Sequence, residues 1–352
     1  MKIKEDEIIK KAPDVFRSIF QTVPFVKVKK VAPEKRNSNL QYDLSIQIQV
    51  GNKSHILVVE TKSKGEPKYA RLAINQLHEY IKNNPLYIGV FLAPYISPQS
   101  ASLCTQNGIA TVDLSGNCRI VFDQVYIERI GNPNKYTEKR DIRSLYSPKA
   151  SRVLRVLLVN PRKKWKTQEL ADEAEVSLGQ VSNVKKLLAD REWISESDAG
   201  IILSNPEEIL AEWSENYAYS KNEVFEYYSL KTPSDIESEL ASFCGKHNVS
   251  YALTGFSGAN RTAPSVRYQR VMSYVSTISD ELKESLNLKE VASGANVSLM
   301  FPYDEGIYYG SSEKNNVRVV SPIQLYLDLK NFKGRGEEAA DTILKQVIRK
   351  SW

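Results

Sequence analysis

Residues 42 to 62 read Y-D-L-S-I-Q-I-Q-V-G-N-K-S-H-I-L-V-V-E-T-K, and their reading decides the fold of the first third of the chain. Leu44, Ile46, Ile48 and Val50 alternate with Asp43, Ser45, Gln47 and Gln49, the period of a half-buried strand. Gly51-Asn52 offers a two-residue turn in which glycine takes positive φ, and Lys53 to Lys62 returns as a second strand through Ile56-Leu57-Val58-Val59. With Val50 facing Lys53, Asp43 falls opposite Glu60 and Gln41 opposite Lys62. Facing carboxylates destabilise an antiparallel pair unless something positive lies between them.

A divalent cation answers that requirement. Two carboxylates suit Mg²⁺ or Mn²⁺, which keep several waters and accept phosphate oxygens from a substrate. Such an ion activates water and offsets charge on a phosphodiester. Lys62, two residues past Glu60 and on its face, is placed to hold the attacking water or to stabilise developing negative charge.

Asp43 followed by Glu60-Thr61-Lys62 resembles the D…(D/E)xK signature of PD-(D/E)XK nucleases. The triplet alone is weak, since Glu66-Pro67-Lys68 and Glu281-Leu282-Lys283 also satisfy it. The next segment extends the likeness: a helix is expected over about Lys68 to Asn83, with an apolar stripe of Tyr69, Leu72, Ala73, Leu77, Tyr80 and Ile81. On it Gln76 and Tyr80 match the QxxxY element of the RecB-like branch. The resemblance implies that Gln76 and Tyr80 support the catalytic centre of Asp43, Glu60 and Lys62, and that an acid on the first helix, Glu7 or Glu5, completes a metal site with Asp43 and Glu60. It implies a Mg-dependent deoxyribonuclease. Two alternatives stand beside it: a surface hairpin with both carboxylates in solvent, and an inactive nuclease fold kept for binding.

The apolar run Leu86 to Ala93, a helix over Ser97 to Gln106 and a strand over Ile109 to Leu114 continue the pattern. Helices between buried strands fit a restriction-endonuclease-like mixed sheet over residues 1–131. Asp113, before the turn Ser115-Gly116-Asn117, is read as a strand-end residue rather than a catalytic one. Gly131-Asn132-Pro133-Asn134 opens an apolar-poor linker over 132–146.

A helical region spans 147–216. Ser151 to Asn160 is apolar, Thr167 is placed to cap a second helix, and Ser177-Leu178-Gly179-Gln180 is a capping-box start for a third. Three short helices in succession suggest helix-turn-helix. In the third, Val181, Val184 and Leu188 face inward, while Gln180, Ser182, Asn183, Lys185 and Lys186 are candidates for reading bases and phosphates. Trp193-Ile194 and Ile201-Ile202-Leu203 flank a wing, and Arg162, Lys163 and Lys164 beside Trp165 form a basic cluster. The whole resembles a winged helix, a fold that binds duplex DNA or serves as a protein-interaction module.

The text from Tyr251-Ala252-Leu253-Thr254-Gly255-Phe256-Ser257, through Arg267-Tyr268, to Val319 to Leu329 and Gly334-Arg335-Gly336-Glu337 resembles AbiEi-type antitoxins of type IV toxin–antitoxin systems, from about residue 148 to 350. The resemblance implies a DNA-binding regulator with a toxin partner, and a nucleotidyltransferase-like α/β domain over 217–352. Gly255-Phe256-Ser257 is not followed by the paired acids that a nucleotide-bound metal requires, so this domain is read as a binding module, with Arg335 and its flanking glycines shaping a helix entrance.

Composition frames these readings. The chain has 352 residues, 41% apolar and 26% charged, ordinary for a multi-domain α/β protein. Three scattered cysteines and three histidines give neither a disulfide framework nor a zinc site. No stretch reaches the roughly 18 apolar residues of a membrane span, so a reducing cytoplasm is expected and a membrane is not. The net charge of +6 is concentrated in the first 147 residues, where 22 Lys and Arg meet 14 Asp and Glu. A basic surface suits a nucleic-acid partner. The expected activity is metal-dependent phosphodiester hydrolysis in genome defence or mobile-element control; the alternative is a non-catalytic transcriptional regulator or antitoxin.

Overall fold

The computed structural model describes residues 3–33, 42–82, 84–136, 145–217, 219–263 and 268–352. Gln41, Asn83, Arg267 and most of the expected linker (137–144) lie outside the described residues. The chain is mixed α/β and divides into two units: Met1–Ile142 with Ala189–Glu192, and Arg143–Leu188 with Trp193–Trp352.

The first unit is built on a seven-stranded sheet in sequence order: β1 (Val26–Pro33), β2 (Leu44–Val50), β3 (Lys53–Thr61), β4 (Tyr87–Ala93), β5 (Ala110–Asp113), β6 (Cys118–Phe122) and β7 (Val125–Arg129). The β2–β3 hairpin pairs Val50 with Lys53 and continues to Leu44 with Val59, the register counted from the turn. Gly51 sits at φ +58°, where a side chain is strained. β3, β4 and β5 run parallel, joined by α2 (Pro67–Ile81) and α3 (Pro98–Gln106).

Period-2 alternation splits the core into two layers. Leu44, Ile46, Ile48, Leu57 and Val59 pack with Ile8, Phe16 and Phe20 of α1 (Glu5–Phe20). Val58 and Phe91 pack on the opposite side with Ala70, Ala73, Ile74 and Leu77 of α2. The buried stripe of α2 therefore runs through Ile74, whereas Leu72 is half exposed at 49%. Asp113 is buried and ends β5, accepting from the Gly116 and Asn117 amides at 2.9 Å each; it is a strand-end anchor.

The second unit begins with α4 (Pro148–Val159), α5 (Thr167–Glu173) and all but the last two residues of α6 (Leu178–Asp190), followed by the hairpin β8 (Ile194–Ser197) and β9 (Gly200–Leu203). A bridge from Trp165 to Ile201 adds a short third rung. The cap of α5 is Lys166, with no side-chain hydrogen bond, so Thr167 is the first helical residue and not the cap. The Gln180 amide donates to Ser177 Oγ at 3.2 Å, which starts α6 as its sequence predicts.

After α7 (Pro206–Asn216) a second seven-stranded sheet follows in the order β13-β10-β14-β12-β11-β16-β15. Its strands are β10 (Glu223–Tyr228), β11 (Tyr251–Leu253), β12 (Val271–Val275), β13 (Lys289–Glu290), β14 (Val297–Phe301), β15 (Ser312–Lys314) and β16 (Val317–Val319). The helices are α8 (Pro233–His247), α9 (Gly255–Thr262), α10 (Asp280–Ser285), α11 (Pro322–Leu329) and α12 (Arg335–Ile343).

Candidate functional site

At the open end of the β2–β3 hairpin the sequence-derived acids meet. The Thr61 amide donates to Asp43 Oδ2 at 2.6 Å, which holds the half-buried Asp43 against the end of β3. Glu60 is buried, and the Lys62 ammonium donates to its Oε1 at 2.6 Å. Burial pushes the Glu60 carboxyl above its usual range; the Lys62 hydrogen bond opposes this, and the negative charges of Asp43 and Glu5 add to it. The three residues thus form one electrostatic cluster on the α2 face of the sheet.

Glu5, not Glu7, is the acid of α1 that reaches this end: its Oε1 accepts from the Ser63 amide at 3.1 Å. Glu7 is exposed, about 200° further round the helix at 3.6 residues per turn. Gln76 is exposed on α2, while Tyr80 is half buried and meets Tyr42, the neighbour of Asp43, edge to face with centroids 6.1 Å apart. Among the described residues no group of three or more His, Cys, Asp and Glu is placed to hold a metal ion. The donor set that does converge, Asp43 with Glu60, fits in kind a hard cation that keeps most of its waters.

On α6, Val181, Val184, Leu187 and Leu188 are buried, and Ser182, Asn183 and Lys186 share the exposed face. Gln180 and Lys185 are half buried, and Lys185 pairs with Glu196 of β8 at 2.9 Å. The basic cluster is largely engaged within the unit. Arg162 donates to the Trp352 carbonyl at 2.5 Å. Lys163 pairs with Glu169 at 2.6 Å and sits 3.6 Å from the Trp165 ring centroid. Lys164 is exposed.

Behind these helices lies a polar core that sequence spacing gave no means of finding. Asp328 of α11 is fully buried. Its Oδ1 accepts from the Tyr217 and Tyr274 hydroxyls at 3.0 Å each and from the Gln324 amide at 2.9 Å, and its Oδ2 from the Thr254 hydroxyl at 2.6 Å. Burial raises its carboxyl to about 6, against the pull of those hydrogen bonds. The buried Arg155 guanidinium of α4 donates to Gln324 Oε1 at 2.6 and 3.2 Å and lies 5.0 Å from the Trp213 ring.

Residues 202–349 match the model of a family described as a transcriptional regulator, the AbiEi antitoxin of a type IV toxin–antitoxin system. The match begins in β9 and takes in α7 and the second sheet; α4, α5 and α6 lie outside it. No curated protein and no solved structure matches the chain. No helix among the described residues is long and apolar enough to cross a membrane.

Proposed function

We propose that the chain is a DNA-binding transcriptional regulator of the type IV antitoxin kind, working in a reducing cytoplasm. The observation that carries this reading is the match of residues 202–349 to that regulator family. Three helices precede the match and a two-stranded hairpin leads into it, and this arrangement reads as a winged helix. α6 is its recognition element: Ser182 and Asn183 offer hydrogen bonds to base edges, and Lys186 offers charge to phosphate. The antitoxin kinship extends the proposal to a toxin protein as partner. The second sheet, a nucleotidyltransferase-like layer in this reading, serves as a binding module.

The test is retention of duplex DNA across a salt series. Lys186→Ala is expected to weaken binding on every sequence and to lower the salt slope by about 1. Unchanged retention and slope would count against α6 as the reader.

A second reading attaches to the first unit, and the buried Glu60 bonded to Lys62 beside Asp43 favours it. A PD-(D/E)XK-like centre on a restriction-endonuclease-like sheet would hydrolyse phosphodiesters. Asp43 and Glu60 would hold Mg²⁺ or Mn²⁺, and the ion would supply an activated water and neutralise phosphate charge. Lys62 would position that water, with Tyr80 packing the support behind Asp43. Linear, circular and single-stranded DNA incubated with Mg²⁺ or Mn²⁺ separates the readings: cleavage abolished by Asp43→Ala supports the nuclease, and no cleavage on any substrate removes it.

A further inference from the structure

A cavity of about 490 Å³ lies within the second unit, walled by α4, the turn that joins α5 to α6, and the segment after β14. None of the residues assigned above to DNA reading or hydrolysis lines it. Its charge is one-sided. Glu173, Glu175 and Glu305 line it against a single cation, Arg152, and that guanidinium is already committed: its Nε donates to Asp304 Oδ1 at 2.8 Å and its Nη1 to Glu175 Oε2 at 2.9 Å. Glu173 accepts from the Tyr309 hydroxyl at 2.7 Å, a bond that satisfies an oxygen and cancels no charge. Neither Glu173 nor Glu305 has an ion pair among the described residues.

The walls are held in place. A short 3-10 helix, Glu305–Tyr308, presses against α4: a Cβ on Gly306 would come within 2.7 Å of Asp304 Oδ1 and 2.8 Å of Arg152 Cγ. Glycine permits that approach, and the Gly306 amide donates to the same Asp304 oxygen at 2.8 Å. The Tyr309 hydroxyl accepts from Asn160, just past α4, at 3.1 Å while it donates to Glu173 of α5. The elements around the space are thus tied to one another by side chains, and the cavity exists before any occupant arrives. Phe301, Tyr308 and Tyr309, each half buried, add aromatic surface to its lining.

We propose that this cavity binds a small organic polyamine. A cleft lined by one sign of charge concentrates ions of the other sign, and ammonium groups pair with carboxylates that have no cation of their own. Two such acids on separate elements, Glu173 on α5 and Glu305 on the 3-10 helix, favour an occupant with more than one ammonium. Its methylenes and its charge both find favourable contact on aromatic rings. An anion would meet no uncommitted cation among the lining residues. A hydrated metal ion would use the acids and leave the rings idle. The volume lies in the range of small-molecule sites.

Isothermal titration of the full chain with spermidine, putrescine and glutarate at physiological salt tests it. Saturable binding of spermidine is expected, with putrescine weaker and glutarate giving no binding. Glu305→Gln and Glu173→Gln should each weaken spermidine about tenfold, as the loss of a charge-assisted contact does. Glu313→Gln, which removes an exposed acid of β15 outside the cavity, should leave it unchanged. All three carboxylates are exposed, so unchanged melting temperatures will show the variants folded. Three results would each overturn the proposal: no saturable amine binding, binding indifferent to both cavity substitutions, or an equal loss with Glu313→Gln, which would reduce the attraction to a general one for acidic surface. No DNA enters the titration, so its outcome and the regulator reading stand or fall separately.

Discussion

Asp328 is the residue whose environment has the clearest consequence in solution. Its folded carboxyl titrates near 6 instead of its ordinary 3.8 because burial disfavours the anion. The folded state then binds a proton more readily than the unfolded chain, so this group's contribution to stability is full below about pH 4 and is lost as pH rises through about 6. Denaturant midpoints of wild type and Asp328→Asn across pH 4 to 7 should diverge in that window, with wild type losing ground relative to the variant as pH rises. A constant difference would show that the carboxyl does not titrate there. At Glu60 the balance is different, because Lys62 supplies the compensating charge. Lys62→Met leaves a buried carboxylate without its ammonium and should cost about 1–3 kcal/mol in chemical denaturation. Replacing Glu60 by Gln in the same chain should restore part of that loss. Asp43, Glu60 and Lys62 could be brought together by counting from a turn, since a two-residue hairpin leaves no freedom in register. Glu5 could not be separated from Glu7 that way, because the rotation of α1 is set by which residues it buries.

Elements were legible where their periodicity was local. β2 and β3 alternate cleanly, and the turn at Gly51 fixes their pairing. Gly51→Ala places a side chain at φ +58° in open space, so the whole cost is conformational, about 1–2 kcal/mol by thermal melting. In α2 the buried stripe takes in Ile74, two positions past the expected Leu72, which is hydrophobic yet half exposed. Leu72 and Ile74 lie about 200° apart round the helix, and the apolar residues alone leave open which side of α2 meets the sheet. The basic run at 162–164 has partners of its own. Lys163 meets Glu169 at the start of the next helix, whereas Arg162 meets the Trp352 carbonyl, 190 residues away, which a linear reading cannot bring near. α6 carries one exposed cation, Lys186, on the same face as Ser182 and Asn183. Asn183→Ala is accordingly expected to relax sequence preference, costing about 1–3 kcal/mol on the preferred site and little elsewhere, measured by competition among duplexes.

Over the whole molecule, the two units have separate apolar cores, and each should report on its own damage. Leu240 is fully buried in the second sheet's core. Leu240→Ala is expected to lower that unit's calorimetric transition by about 2–5 kcal/mol and to leave the other unit's transition in place. The polar core carries a further consequence, for how the chain can be cut. The family match starts at residue 202, yet Gln324 within it takes its hydrogen bonds from Arg155, and the Trp352 indole donates to the Leu158 carbonyl at 3.0 Å. Both partners lie upstream. Excising 202–352 would strand an amide oxygen that the native protein covers and would uncover Trp213, on which Arg155 lies. The evolutionary module and the autonomous folding unit are therefore different objects: a fragment beginning at residue 145 should melt cooperatively, whereas one beginning at 202 should expose indole fluorescence and aggregate.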